Sequence, residues 1–225
     1  GHGSVGCPPG TLANNFWPAF GNTLFFTLVT VLLETILGIG MALVMAKDFH
    51  GRGLLRAAVL VPWAIPTAIT AKLWAFLFSE QGIVNSIFHA HVAWQTDPWA
   101  ARFSIILADV WKTTPFMALL ILAGLQMIPK DLYEAARMDG ANAWQRFTRI
   151  TLPLAKNSII VAVLFRMLDA LRMYDLPYIM VGPNPDSPTA TLSQLVVAAI
   201  RQDHVNAASA LSTLIFLLIF LIALC

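Results

Sequence analysis

Arg166, Asp169, Arg172 and Asp175 stand at every third position of the apolar stretch LFRMLDALRMYDLPYIM. Carboxylates accept and guanidinium groups donate charge-assisted hydrogen bonds, so such a set suits a hydroxyl-rich solute, which offers both partners. The same spacing lets neighbours of opposite sign meet along a helix, which is the chemistry of a structural ion-pair network. In a bilayer an Asp, Lys or Arg at mid-depth costs about 2.5–3.5 kcal/mol on insertion scales, so these groups must face protein or water. At 100° per residue the four sweep half a helix circumference and cannot all look into one lumen. Asp169 and Arg172 fall nearest the middle of the run, Asp175 lies nearer one end, and Glu34 sits halfway along another apolar run. Asp169, Arg172, Arg166, Tyr174 and Glu34 are therefore the expected lining of a solute pathway. Asp169 and Glu34 would serve equally as relay carboxylates in a proton-coupled transporter.

Other chemistries find no footing in the residues. A GxxxxGK[ST] phosphate loop, a GxSxG elbow, an HExxH helix and a Cys/His cluster are all missing from the sequence, so neither P-loop ATP binding nor hydrolytic or zinc chemistry is expected. His89 and His91 in FHAHVAW read as solvated loop residues. Cys7 and Cys225 lie at opposite ends and form no disulfide framework. The net charge of +2 is too small, and its basic residues too dispersed, for a nucleic-acid partner.

The elements that must position these charges are membrane helices. At 58% hydrophobic, 12% charged and a mean hydropathy of +0.71, the chain is too apolar for a soluble domain of this size. A hydrocarbon core about 30 Å thick needs about 20 apolar residues per helix. Five runs qualify: 22–46, 54–78, 103–125, 156–181 and 206–225. The expected fold is all-α, a polytopic membrane helical bundle, with an N-terminal extracytoplasmic segment 1–21 preceding a membrane domain 22–225. Prolines 62 and 66 interrupt the second run, and the carbonyls they free need a partner in protein or a wet cavity. Asp109 and Lys112 put two more charges into the third.

Short loops rich in Lys and Arg stay cytoplasmic. Lys47, Arg52 and Arg56 surround the first connection, and Lys130, Arg137, Arg146, Arg149 and Lys156 fill the third, whereas loops 79–102 and 182–205 carry only Arg102 and Arg201. Segment 126–155 is thus expected on the cytoplasmic side and the N-terminal stretch outside. That orientation implies an earlier helix, for six or more in all, and further segments are expected beyond both ends. Cys7 would then lie outside and Cys225 near the cytoplasmic end of the last run, too far apart to pair.

The cytoplasmic segment contains EAARMDGANAWQRFTRITLP, residues 134–153, with five charges in a short stretch. Pro129 suits a helix start, Leu132, Ala135 and Ala136 give that helix an apolar side, and Gly140 can take the positive φ that ends it. Trp144, Phe147 and Ile150 give the next segment an apolar face at helical spacing. By composition alone this is equally an amphipathic loop on the membrane surface.

Glu134-Ala135-Ala136, three residues, Gly140, nine residues and Ile150-x-Leu152-Pro153 reproduce the EAA signature. The chain therefore resembles the permease subunits of ATP-binding-cassette importers. ADVWKTTPFMALLILAGLQMIPKDLYEAARMDGA and FRMLDALRMYDLPYIMVGP extend the resemblance to the carbohydrate-uptake branch, in its maltose- and trehalose-type subunits. It covers residues 22–225, with one departure: Val181-Gly182-Pro183 stands where many relatives have Gly-Gly-Pro. The resemblance implies a permease in a prokaryotic cell membrane, importing a disaccharide such as trehalose or maltose. Its implied partners are a second permease subunit, two ATPase subunits that hold ATP and magnesium, and an extracytoplasmic solute-binding lipoprotein. No cofactor is implied in this chain itself. Glu134, Ala135, Ala136, Arg137, Asp139 and Gly140 are the implied coupling residues.

Overall fold

The computed structural model describes residues 12–89 and 91–224, so Cys7 and Cys225 fall outside the described residues. Among these residues every regular element is helical. The order is α1 (Leu12–Ala46), α2 (Arg52–Ala64), α3 (Thr67–Leu77), α4 (Ile83–Phe88), α5 (Pro98–Gln126), α6 (Lys130–Met138), α7 (Ala143–Arg146), a π-turn (Phe147–Thr151), α8 (Leu152–Ala170), α9 (Asp175–Met180), α10 (Leu192–Arg201) and α11 (Val205–Leu224).

Four spans, Asn14–Ala46, Pro98–Gln126, Ala143–Ala170 and Val205–Leu224, are long and apolar enough to cross a membrane; α2 with α3 makes a fifth if that broken pair is one span. Three expected boundaries move. The first helix starts at Leu12, ten positions ahead of the apolar run, because its opening turns are polar or aromatic but still helix-compatible, and it carries Pro18 within it. The second run divides at Ile65 and Pro66, where the missing amide of Pro66 favours a break, whereas Pro62 sits inside α2 without interrupting it. The fourth is not one helix over 156–181. It stops at Ala170 and resumes at Asp175, with a turn at Leu171 and Arg172. Pro177, fixed in the first turn of α9, favours a fresh helix start there.

The residues group into two compact units, with boundaries inside the long helices. Among the described residues, one holds those up to Thr30, those in Pro66–Asp109 and those from Leu168 onward. Its core contains Phe26, Ala71, Phe78, Ile105, Ala108, Met173, Leu176 and Met180, and a smaller cluster joins Ala19, Leu192, Leu195 and Leu211. Arg102 ties this unit together by donating to Asn22 Oδ1 at 3.1 Å and to the Pro188 carbonyl at 3.0 Å. In Val181-Gly182-Pro183, Val181 keeps φ at −109° and Gly182 takes a positive value, +125°.

The other unit holds Val31–Ile65 and Val110–Met167. Between membrane helices there is little hydrophobic gain, so close contact at small residues and hydrogen bonds must do the holding. Ala42, Ala118 and Ala162 are fully buried, and a Cβ on Gly38 would stand 3.0 Å from that of Met117. Small side chains here let α1, α5 and α8 approach closely.

Candidate functional site

Two sets of residues in the second unit carry its chemistry. The first is the loop after α5. Pro129 caps α6 at φ −59° and ψ 135°, and no residue of α6 is buried. The helix ends in a Schellman turn: the Gly140 amide donates to the Arg137 carbonyl at 3.0 Å and the Ala141 amide to the Ala136 carbonyl at 2.9 Å. Gly140 sits at φ +76°, where a Cβ costs roughly 1 kcal/mol or more. Asn142 and Gln145 then form a reciprocal capping box that starts α7.

Lys130, Tyr133, Glu134 and Arg137 share one face of α6 and line a groove of about 1370 Å³ with Lys47, Asp48, Arg52, Arg56 and Arg146. Leu132, on the opposite side, is 43% exposed and Met138, beside Glu134, is 88% exposed, so both of these apolar side chains are uncovered. Ala135 and Asp139 are exposed as well, and Ala136 is half-buried. Asp48 accepts from Arg52 and, at 3.1 Å, from Lys130. The hydrogen bond and charge of Lys130, then the charge of Arg52, hold the Asp48 carboxyl below its ordinary value.

The second set is buried charge. Arg166 Nε donates to Glu34 Oε2 at 2.5 Å and its Nη2 to Oε1 at 3.1 Å, while the Thr113 hydroxyl donates to Oε1 at 2.6 Å. Arg166 is 2% exposed and Glu34 not at all. Lys112 Nζ donates to the carbonyls of Ile65 at 2.5 Å and Trp63 at 3.4 Å, the groups left open at the C-terminal end of α2. The break at Pro66 is thus satisfied by protein, and the adjoining Trp63 and Phe116 rings stack 5.9 Å apart.

In the first unit, Asp169 and Arg172 form an exposed i,i+3 pair at 3.8 Å. They stand in the last turn of α8 and just past it, which corrects their expected place at the middle of a continuous helix. Tyr174 is half-buried, stacks on Tyr178 with centroids 4.9 Å apart, and lines a cavity of about 140 Å³ with Gln194 and Arg201. The evenly spaced charges therefore part company: Arg166 pairs with Glu34, and Asp169 with Arg172. Sequence reasoning missed Lys112 as the partner of the α2 carbonyls, although a lysine in one apolar run and a double-proline run were both visible. It also missed Tyr133, whose hydroxyl lies 3.0 Å from that of Thr151; that contact depends on the π-turn, for which the sequence offers no signal.

Residues 34–225 match the family described as the binding-protein-dependent transport system inner membrane component. The chain belongs to that family. It is 46% identical over 212 residues to the trehalose/maltose transport system permease protein MalF of Thermococcus litoralis, covering 92% of this chain and 72% of that protein. It is 40% identical over 203 residues to the trehalose transport system permease protein SugA of Mycobacterium tuberculosis, covering 89% of this chain and 66% of that one. A crystal structure of a bacterial ABC transporter involved in the import of the polysaccharide alginate superposes with a TM-score of 0.84 at 27% identity, covering 93% of this chain and 77% of its counterpart. A methionine ABC transporter at 20% identity and a TM-score of 0.65 shares the fold. An inner-membrane transport component with an all-helical permease fold is what these likenesses establish.

Proposed function

We propose that this permease forms half of the translocation pathway of an ATP-driven carbohydrate importer and takes its energy from a separate ATPase that docks on α6. The substrate is a disaccharide of the trehalose or maltose kind, delivered by an extracytoplasmic binding protein, and the membrane is that of a prokaryotic cell. A second permease subunit completes the pathway, and two ATPase subunits hold ATP and magnesium. The observation that carries this reading is α6 itself: a short helix with no buried residue, uncovered apolar side chains and a fixed Schellman end. An amphipathic helix left bare in this way suits a groove on another protein. Ala135 and Ala136 let it seat closely, Glu134 meets a basic group of the ATPase, and Arg137, Asp139 and Gly140 complete the contact. Asp169, Arg172, Arg166, Tyr174 and Glu34 remain the proposed pathway residues, with Arg166 and Glu34 acting as a paired wall. A carboxylate gripped by Arg166 and Thr113 is poorly placed to give and take protons, which argues against proton coupling through Glu34.

Purification of the native complex tests the proposal. Two ATPase copies and a second permease should co-purify, and trehalose or maltose on its binding protein should stimulate ATP hydrolysis. Hydrolysis that no sugar stimulates would contradict it. Glu134→Ala should retain the ATPase in a pull-down yet hydrolyse ATP with little sugar uptake.

A further inference from the structure

We propose that the Tyr133 hydroxyl is the positioning contact through which α6 moves α8 during coupling, an inference that rests on the ATPase-driven reading above. Among the described residues, Lys130 and Tyr133 are the α6 side chains hydrogen-bonded to other segments. The Lys130 to Asp48 pair is exposed on both sides, at 83% and 64%, so solvent and salt screen it. Tyr133 instead reaches Thr151, which is 6% exposed.

The two hydroxyls lie 3.0 Å apart and either can donate, and the Thr151 hydroxyl also lies 3.4 Å from the Arg146 carbonyl. Arg146 in turn donates through Nη1 to the Ala141 carbonyl at 2.6 Å, next to the Gly140 turn. The chain of contacts runs from α6 to the start of α8 and back to the turn that ends α6.

The π-turn makes this closure possible. Residues Phe147–Thr151 carry one extra residue in the turn, which rotates everything beyond it by about 100° relative to an uninterrupted α-helix. That rotation brings Thr151 under Arg146 and toward Tyr133. Arg166 lies on the same helix roughly 22 Å further along the axis at 1.5 Å per residue. A push on α6 thus has a rigid path to the Glu34–Arg166 pair that needs no exposed ion pair.

The test uses the complete complex in vesicles, with Tyr133→Phe, Thr151→Val, the double variant and Thr151→Ser. Expected is a several-fold rise in ATP hydrolysed per sugar imported for Tyr133→Phe and for Thr151→Val, with ATPase association unchanged. The double variant should be no worse than either single, and Thr151→Ser should restore the wild-type ratio. A wild-type ratio in either single variant, or additive defects, overturns the proposal. In parallel, hydrogen exchange of residues 147–156 should change on ATPase docking in the wild type and not in Tyr133→Phe. An equal change in both would overturn the positioning role even if no sugar were transported, whereas a wild type without uptake would count against the importer reading instead.

Discussion

Arg166 and Arg172 belong to one repeat of charges, yet Arg166 is 2% exposed and gripped by both oxygens of Glu34, whereas Arg172 is 66% exposed and stands 3.8 Å from Asp169. The difference lies in the partner. Glu34 comes from another helix and brings Thr113 with it, so the cost of burying two charges is offset by three hydrogen bonds. Asp169 is a near neighbour in sequence, and a local pair of that kind in solvent holds little. Equal spacing along the chain thus yields one buried charge pair that joins two helices and one exposed pair within a single turn.

The largest effect should come from breaking the buried pair. Glu34→Leu or Arg166→Leu leaves one uncompensated buried charge and should cost about 3–5 kcal/mol, seen as a lower melting temperature in detergent or loss of expression. Glu34→Leu combined with Arg166→Met should recover most of that loss, and a wild-type melting temperature in either single variant would erase the contrast. Next comes Lys112→Met, which strips donors from the Ile65 and Trp63 carbonyls. A loss of about 1–3 kcal/mol and faster hydrogen exchange over residues 60–66 are expected.

Gly140→Val should come third. No atom lies within 4 Å of the Cβ it would gain, so the cost is backbone strain alone, roughly 1 kcal/mol or more. A pull-down should show weaker ATPase association with the sugar preference unchanged. Asp169→Ala or Arg172→Ala should shift stability by no more than about 0.5 kcal/mol but lower sugar uptake with the complex intact. Full uptake in both would reduce that pair to a surface contact. The smallest effect belongs to Asp48. Its carboxyl titrates below the ordinary range, so the Lys130 and Arg52 contacts are fully present above that range and are lost as pH falls through the lowered value. ATPase association should weaken at that acid end, and Asp48→Asn should remove this dependence.

Long apolar runs made the membrane helices legible, because about 20 apolar residues in a row have few other uses. The family was legible in Glu134, Gly140 and Pro153 at their fixed distances, and Gly140 does take a positive φ in the turn. Helix breaks were harder to read. Pro66 announced one, but the end of α8 at Ala170 lies in a stretch of good helix formers, where tertiary packing of Leu171 and Met173 overrides local preference. Which charge pairs with which was not legible either. The i,i+3 rule found Asp169 with Arg172, while the Glu34–Arg166 bond joins residues 132 positions apart and exists only because α1 and α8 pack closely.

On the proposed function, ATP hydrolysed by a docked partner, and not an ion gradient, drives a sugar past these helices. Uptake of labelled trehalose or maltose by vesicles carrying the whole complex tests it most directly. Uptake that requires ATP inside the vesicle and the binding protein outside, proceeds unchanged after the proton gradient is collapsed, and fails in Gly140→Val is the predicted result; uptake that follows the proton gradient and ignores ATP would contradict it.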